Sequence, residues 1–199
     1  MANVYNLLPV FKVVEINNSV ALRSGHIIAQ APLKKINYLA TNATPGTGDG
    51  AESYVQNGSV LYLDVDGELK SPIRVNSAVK AAQQPILHFT EELFTDGISE
   101  ELRHFAVDFN EDNIAYPRGL VLHVGDSFTT NNFSGTLATA TVAVIDDAGK
   151  FVVYADMAAA GTALTNYVGP LFHVVPSTLP DGETDAAELT LLAEIVSIA

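Results

Sequence analysis

Val60-Leu61-Tyr62-Leu63-Asp64-Val65-Asp66-Gly67-Glu68-Leu69-Lys70 is the stretch of this 199-residue sequence that decides the fold class. Two runs rich in apolar and β-branched residues flank the dipeptide Asp66-Gly67. Such a dipeptide tolerates the positive φ angles of a two-residue turn. The stretch therefore predicts a β-hairpin.

Apolar runs of strand length recur on both sides of this hairpin, and Gly, Asp, Asn or Pro bounds most of them. Predicted strands cover residues 10–16, 25–30, 36–40, 120–124, 138–145, 150–155 and 171–175, and residues 187–199 favour a closing strand over a helix. A short helix is predicted between Pro72 and Pro85. This spacing is typical of sandwiches and barrels. We therefore expect a mainly β protein, an antiparallel sandwich or barrel with at most short helices.

The chain is expected to form a single β-rich domain over residues 1–199, with two small β subdomains as the alternative. Residues 41–59 are rich in Asn, Thr, Gly and Pro, which predicts a long exposed loop. Its glycines are not followed by the Gly-Lys-Ser/Thr of a phosphate-binding loop. A nucleotide site is therefore not predicted there.

Charge and composition narrow the classes of partner. The chain has 23 acidic and 10 basic residues, for a formal net charge of −13, which disfavours direct contact with nucleic acid or anionic membranes. It has no cysteine, which excludes disulfides and thiolate chemistry. The first residues lack the pattern of a secretory signal, so we expect a soluble protein made in the cytoplasm.

No pattern of catalytic or metal-binding residues stands out. The five histidines are scattered, with no HExxH or HxH spacing, and no GxSxG is present. Adjacent acids such as Asp146-Asp147 point to different faces, and Asp108, Glu111 and Asp112 lack the glycine and distal glutamate of a calcium loop. The sequence therefore predicts no catalytic residue, no metal site, no cofactor and no enzymatic activity.

The segment Gly125-Asp126-Ser127-Phe128-Thr129-Thr130-Asn131-Asn132-Phe133 is the most distinctive one in the chain. One interpretation is a β-turn held by Asx and hydroxyl hydrogen bonds. The other is that Phe128 and Phe133 anchor a polar loop on a neighbouring subunit. The apolar segments Val4–Leu8 and Leu189–Ile198 also predict self-association. The candidate interface residues are Phe128, Phe133, Leu189, Leu191 and Ile195.

Three phrases resemble tailed-bacteriophage virion proteins, among the auxiliary or decoration proteins of the head. They are His88-Phe89-Thr90-Glu91-Glu92-Leu93, Tyr116-Pro117-Arg118-Gly119 and Gly125-Asp126-Ser127-Phe128-Thr129-Thr130-Asn131. The resemblance implies a homo-oligomeric β-rich protein that binds the major capsid protein, decorates the outside of the capsid and stabilises it. It also implies a location on the virion after synthesis in the host cytoplasm.

Two other functions compete with this one. A carbohydrate- or receptor-binding module of a tail or fibre would need an exposed aromatic platform, for which Tyr62, Tyr116 and Tyr154 are the candidates. A small β-barrel esterase or glycosidase would need a cleft with perturbed acids or histidines.

Overall fold

The computed structural model describes residues 14–20, 26–28, 31–38, 54–89, 106–164, 166–178 and 185–198. Within these residues the protein is mainly β, with two seven-stranded sheets that form a sandwich and a separate two-stranded ribbon. Most strand pairs are antiparallel, and two of those described are parallel: Phe133–Ser134 with Phe151–Tyr154, and Leu33–Lys34 with Leu69–Lys70. The predicted fold class is confirmed.

The first sheet contains the longest strands. In spatial order it consists of β1 (Val14–Asn18), β11 (Ser127–Thr130), β16 (Ala186–Ile198), β15 (Tyr167–Ser177), β13 (Val142–Ile145), β14 (Phe151–Tyr154) and β12 (Phe133–Ser134).

The second sheet is made of shorter strands. Its order is β2 (Ile27–Ile28), β10 (Gly119–Val121), β7 (Ile86–His88), β5 (Val60–Leu63), β6 (Leu69–Lys70), β3 (Leu33–Lys34) and β9 (Ile114–Ala115). The ribbon pairs β4 (Tyr54–Gln56) with β8 (Ala106–Asp108).

The helices are short, as predicted. They are α1 (Lys35–Tyr38), α2 (Ser77–Ala82) and α3 (Met157–Ala163), with 3₁₀ turns at Pro72–Arg74 and Leu137–Thr139. Side chains cap two of them, since Asn76 accepts from the Val79 amide and Asp156 from the Ala159 amide. Among the described residues no helix has the length and apolarity that crossing a membrane requires.

The main core lies between the two sheets. Three fully buried phenylalanines of the first sheet, Phe128, Phe151 and Phe172, pack with ring centroids 5.1 to 6.0 Å apart. Val60, Tyr62 and Leu87 of the second sheet belong to the same cluster. Edge-to-face aromatic pairs of this kind add to the free energy of apolar burial.

A second core lies on the other face of the second sheet. Leu61 and Ile86 point there and pack with Leu33, Tyr38, Val55, Leu69 and Ala115. The central strands of this sheet are therefore buried on both faces. This explains why residues 60–63 form a continuous apolar run rather than an alternating one.

The predicted hairpin at residues 60–70 is confirmed, but its turn is longer than predicted. The Gly67 amide donates to the Asp64 carbonyl and the Asp64 amide to the Glu68 carbonyl, which leaves a three-residue loop. Gly67 has a φ of 79°. Its left-handed conformation closes the loop, as in three-residue hairpins with a type I turn.

Two local predictions were wrong. Residues 36–40 were predicted as a strand after a break at Pro32–Lys35, whereas Leu33–Lys34 forms β3 and Lys35–Tyr38 the helical turn α1. Within the predicted exposed loop 41–59, residues 41–53 lie outside the described residues. Residues 54–56 form β4, and residues 55–59 are buried rather than exposed.

Tyr62 carries a buried hydroxyl with no hydrogen-bond partner among the described residues, and burial raises its pKa well above the usual range. An unsatisfied buried hydroxyl destabilises the folded state. We expect Tyr62→Phe to raise the free energy of unfolding by about 1 kcal/mol, measured by urea denaturation.

Tyr167→Phe is the matched control for Tyr62→Phe. The Tyr167 hydroxyl donates to the Pro170 carbonyl at 2.8 Å and accepts from the Ile145 amide at 3.3 Å. This variant should lower the free energy of unfolding by about 1 kcal/mol. Two variants that shift stability in the same direction would contradict the assignment.

Candidate functional site

Three of the five candidate interface residues are internal. Phe128, Leu189 and Leu191 are at most 1% exposed and belong to the core between the sheets. They are therefore not available to another subunit, which corrects the prediction for these residues. Phe133 in β12 is half-buried and packs against the same core.

Ile195 is the one of the five that the structure leaves exposed, at 41%. It lies in β16. Leu189 and Leu191, two residues apart, both point into the core, but this alternation does not extend to Ile195. Register shifts between β15 and β16 at Gly169–Leu171 and Leu171–Phe172 break the alternation. Leu192 and Ile195 are exposed as a result.

Asp126 of the distinctive segment is a structural residue. Its carboxylate is buried and accepts from the Val20 amide at 2.7 Å and the His123 amide at 2.9 Å. Its backbone carbonyl accepts from the Leu191 amide. Asp126 thus joins three parts of the chain that are far apart in sequence, and charge-assisted bonds of this kind are strong.

Buried hydrogen bonds between polar groups explain the role of other residues in this segment. The Asn132 side chain donates to the Asn57 carbonyl at 2.9 Å, and the Asn132 amide donates to the Thr130 hydroxyl. A Cβ added at Gly58 would lie 2.9 Å from that hydroxyl. Asn and hydroxyl side chains of this segment thus form the hydrogen bonds that were expected, but the predicted β-turn was wrong, because residues 127–130 form a strand.

His88 is the one histidine buried completely among those that the structure describes. Its Nδ1 lies 2.8 Å from the Gln56 carbonyl, and desolvation lowers its pKa to about 4. The imidazole is therefore neutral at physiological pH and inaccessible to a substrate. His26 and His123 stack with ring centroids 5.7 Å apart, and His123 Nδ1 faces the Val121 carbonyl.

Two predicted acidic clusters have local structural roles. Asn110 Oδ1 accepts from the Asp112 and Ile114 amides, in the turn that resembles a calcium loop in sequence. Asp146 Oδ1 accepts from the Ala148 and Lys150 amides. The described residues contain no group of three or more His, Asp or Glu that could hold a metal ion. Glu91-Glu92, Glu100-Glu101 and His104 lie outside the described residues.

A cleft of about 350 Å³ lies beside α2 and the end of α3. Lys80, Asp146, Asp147 and Tyr167 are among its lining residues. Desolvation lowers the pKa of Lys80, and the charge of Asp147 opposes this effect. The described lining places one lysine ammonium group in the same cleft as two carboxylates.

The first sheet exposes a broad face opposite its core side. Phe128, Phe172 and Leu189 point inward, so their neighbours along each strand point outward. On this outward side, two rows of side chains run across β1, β11, β16 and β15, because the residues of neighbouring strands pair in register. We call this surface the outer face. It consists of Glu15, Ser127, His173, Val175, Glu188 and Thr190, around Thr129, which is only 4% exposed.

The outer face carries no lysine or arginine. Glu15 and Glu188 are its acids, and the other members are hydroxyl, imidazole or aliphatic side chains. Asn17 donates to the Thr129 hydroxyl at 3.0 Å and orders the β1 end.

The proposed aromatic platform does not form from the three candidate tyrosines. Tyr62 is fully buried, Tyr154 is half-buried and Tyr116 is 53% exposed. One exposed ring does not make a stacking surface for a sugar. A comparison with known protein families, with curated proteins and with solved structures finds no match to this chain.

Proposed function

We propose that this chain is a non-enzymatic structural protein of a virus particle that binds the outside of a capsid through the outer face. The observation that carries the proposal is that face, which is formed by four strands in register and presents hydroxyl, imidazole and aliphatic side chains beside two acids. Rigid strands hold its side chains in place, so little conformational entropy is lost when a partner binds.

The polar and titratable residues that stand out in the sequence also support a structural role. Asp126, Asp146 and Asn110 accept backbone hydrogen bonds, and His88 is sealed in the core. Their side chains hold turns and join the sheets. A protein that acts by surface contact needs this kind of stable fold and does not need a reactive centre.

Immunogold electron microscopy of the particles that contain this chain tests the proposed function. Antibody against the chain should label the heads evenly. Labelling confined to the tail tip would overturn the proposal in favour of the receptor-binding alternative. Antibody that labels free protein but no part of the particle would exclude both.

Val175→Lys tests the outer face directly. Val175 is 43% exposed and lies opposite Glu188, so a lysine there has a partner and should not disturb folding. We expect affinity for particles that lack the protein to fall by about tenfold or more, since a new charge that replaces an apolar contact within an interface is poorly tolerated. Co-sedimentation with the particles measures this affinity.

Val65→Lys is the control for that experiment. Val65 is 87% exposed in the loop between β5 and β6, on the other sheet. This variant should bind particles like the wild type. If Val175→Lys also binds normally, the outer face is not the contact surface.

A further inference from the structure

His26 and His123 lie side by side at the edge of the second sheet. Their ring centroids are 5.7 Å apart, and the ring planes are tilted by 31°. His26 directly precedes the edge strand β2, and His123 follows β10, the strand with which β2 pairs. The Val121 amide donates to the His26 carbonyl at 3.2 Å. Backbone pairing thus brings together two imidazoles that are far apart in the sequence.

A hydrogen bond fixes the tautomer of His123. Its Nδ1 lies 3.0 Å from the Val121 carbonyl oxygen, which can only accept. Nδ1 therefore carries the proton in this bond, and the neutral ring has its lone pair on Nε2. A carboxylate oxygen of Asp126 lies 3.9 Å from the same Nδ1. Metal-binding histidines are held in this way, with one ring N–H directed at a carbonyl or carboxylate and the other nitrogen bound to the ion.

The spacing of the two rings suits a shared ion. Zinc lies about 2.0–2.1 Å from a histidine nitrogen, so each ring centroid is about 3.2 Å from the ion. Tetrahedral coordination then places the two centroids about 5.2 Å apart. The observed 5.7 Å is longer by about half an ångström. His26 is exposed, so a small rotation of its side chain closes this difference.

We propose that His26 and His123 together bind one divalent transition-metal ion of the zinc and copper class. The ion ties the two-residue strand β2 to β10 at the edge of the second sheet. Two imidazoles occupy two coordination positions, and water fills the others. Such a site is weaker than a structural zinc site with four protein ligands, so the ion is exchangeable. This inference does not rest on the proposed capsid function.

Charge and ligand type favour different cations, which makes the proposal testable. The formal net charge of −13 attracts any divalent cation to the protein. Neutral imidazole nitrogens select zinc, copper and nickel, whereas magnesium and calcium prefer oxygen ligands. A tenfold excess of magnesium should therefore leave zinc binding almost unchanged if the histidines are the ligands.

Calorimetric titration of the full chain with zinc chloride, in a buffer that does not bind metal, measures the affinity and the stoichiometry. We expect one zinc ion per chain at this pair. His26→Gln removes an exposed imidazole, and zinc affinity should fall by about tenfold or more because one ligand alone forms no chelate. His123→Asn should cause a similar loss. Its amide can still donate to the Val121 carbonyl, which preserves the local structure.

His173→Asn is the matched control, because it changes an exposed histidine of the first sheet. This variant should bind zinc like the wild type. Circular dichroism checks that all three variants keep the β fold, and His26→Gln decides the matter alone if His123→Asn does not fold. No zinc binding by the wild type, or equal affinity in His26→Gln and the wild type, overturns the proposal. Displacement of zinc by magnesium indicates an adventitious ion only and overturns it too.

Nuclear magnetic resonance of the imidazole groups tests the site in the unmodified chain. Substoichiometric zinc should shift or broaden the ring signals of His26 and His123 together, since both bind the same ion. The signals of His173 should stay in place. Changes at His26 and His123 that occur at different zinc concentrations would show two separate ions, and the shared site would then be wrong.

Discussion

Gly149→Ala is expected to lower the free energy of unfolding by at least about 3 kcal/mol. Gly149 closes the loop between β13 and β14 with a φ of 85°, a conformation that costs any residue with a Cβ. Its carbonyl also accepts from the Val60 amide at 2.7 Å, which docks this loop of the first sheet on the second. An alanine Cβ would lie 2.2 Å from the Val60 carbonyl oxygen, so this contact must break.

Gly67→Ala separates the two causes of that loss. Gly67 has a φ of 79° in a loop of the same type, but a Cβ there would meet no atom within 4 Å. It should therefore cost about 1 kcal/mol, the strain of the left-handed conformation alone. Urea denaturation of both variants gives the comparison. Equal losses would show that Val60 and the loop move apart at little cost.

The sequence predicted the strands better than the turns that join them. Three loops share one hydrogen-bond pattern, with Gly67, Asn113 and Gly149 at positive φ. They are Asp64–Glu68, Asn110–Ile114 and Asp146–Lys150, and the first and last of them join paired strands. Aspartate or asparagine at the first position and glycine or asparagine at the fourth is the shared signal. The prediction took Asp66-Gly67 alone as a two-residue turn and missed the role of Asp64.

Long-range contacts explain the errors elsewhere. Residues 55–59 look like an exposed loop because they are polar, yet Asn132 and Tyr38 hydrogen-bond to them from distant parts of the chain. Polar residues are buried at low cost when such partners exist. No local pattern shows those partners, because they are supplied by the packing of the two sheets.

The candidate interface could have been predicted more accurately from alternation. Phe128 sits between Ser127 and Thr129 in a strand, so one apolar side chain flanked by hydroxyls points to the core. Ile195 was predicted to share a face with Leu189 and Leu191. The register shifts in β15 and β16 place it outside, and bulges of this kind have no clear sequence signature here.

Acidification from pH 7 to pH 4 is expected to remove about 3 kcal/mol of stability through His88. Its pKa is about 4 in the folded protein, because burial disfavours the imidazolium, against about 6.5 in the unfolded chain. A lowered folded pKa means that the unfolded state takes up the proton first. The contribution of His88 is therefore complete above pH 6.5 and is lost as the pH falls towards 4.

His88→Asn isolates this effect. The asparagine amide can still donate to the Gln56 carbonyl, but it does not titrate. The variant should be less stable at pH 7, because the buried ring is lost, and should show a flatter dependence on pH between 6.5 and 4. His173→Asn changes an exposed histidine and leaves His88 in place, so it is the control: its dependence on pH should be steeper than that of His88→Asn.

The carboxylates of Asp64 and Asp66 give an acid-sensitive contribution in a different range. Hydrogen bonds from Lys70 hold the pKa of both groups below the usual value, so their contribution is present above that value and is lost at lower pH. It is common to the wild type and both variants and cancels between them. Free energies of unfolding from urea titrations at half-unit pH steps supply the slopes. If His88→Asn and the wild type share one slope between pH 6.5 and 4, then another group drives the acid sensitivity, and folding does not lower the pKa of His88.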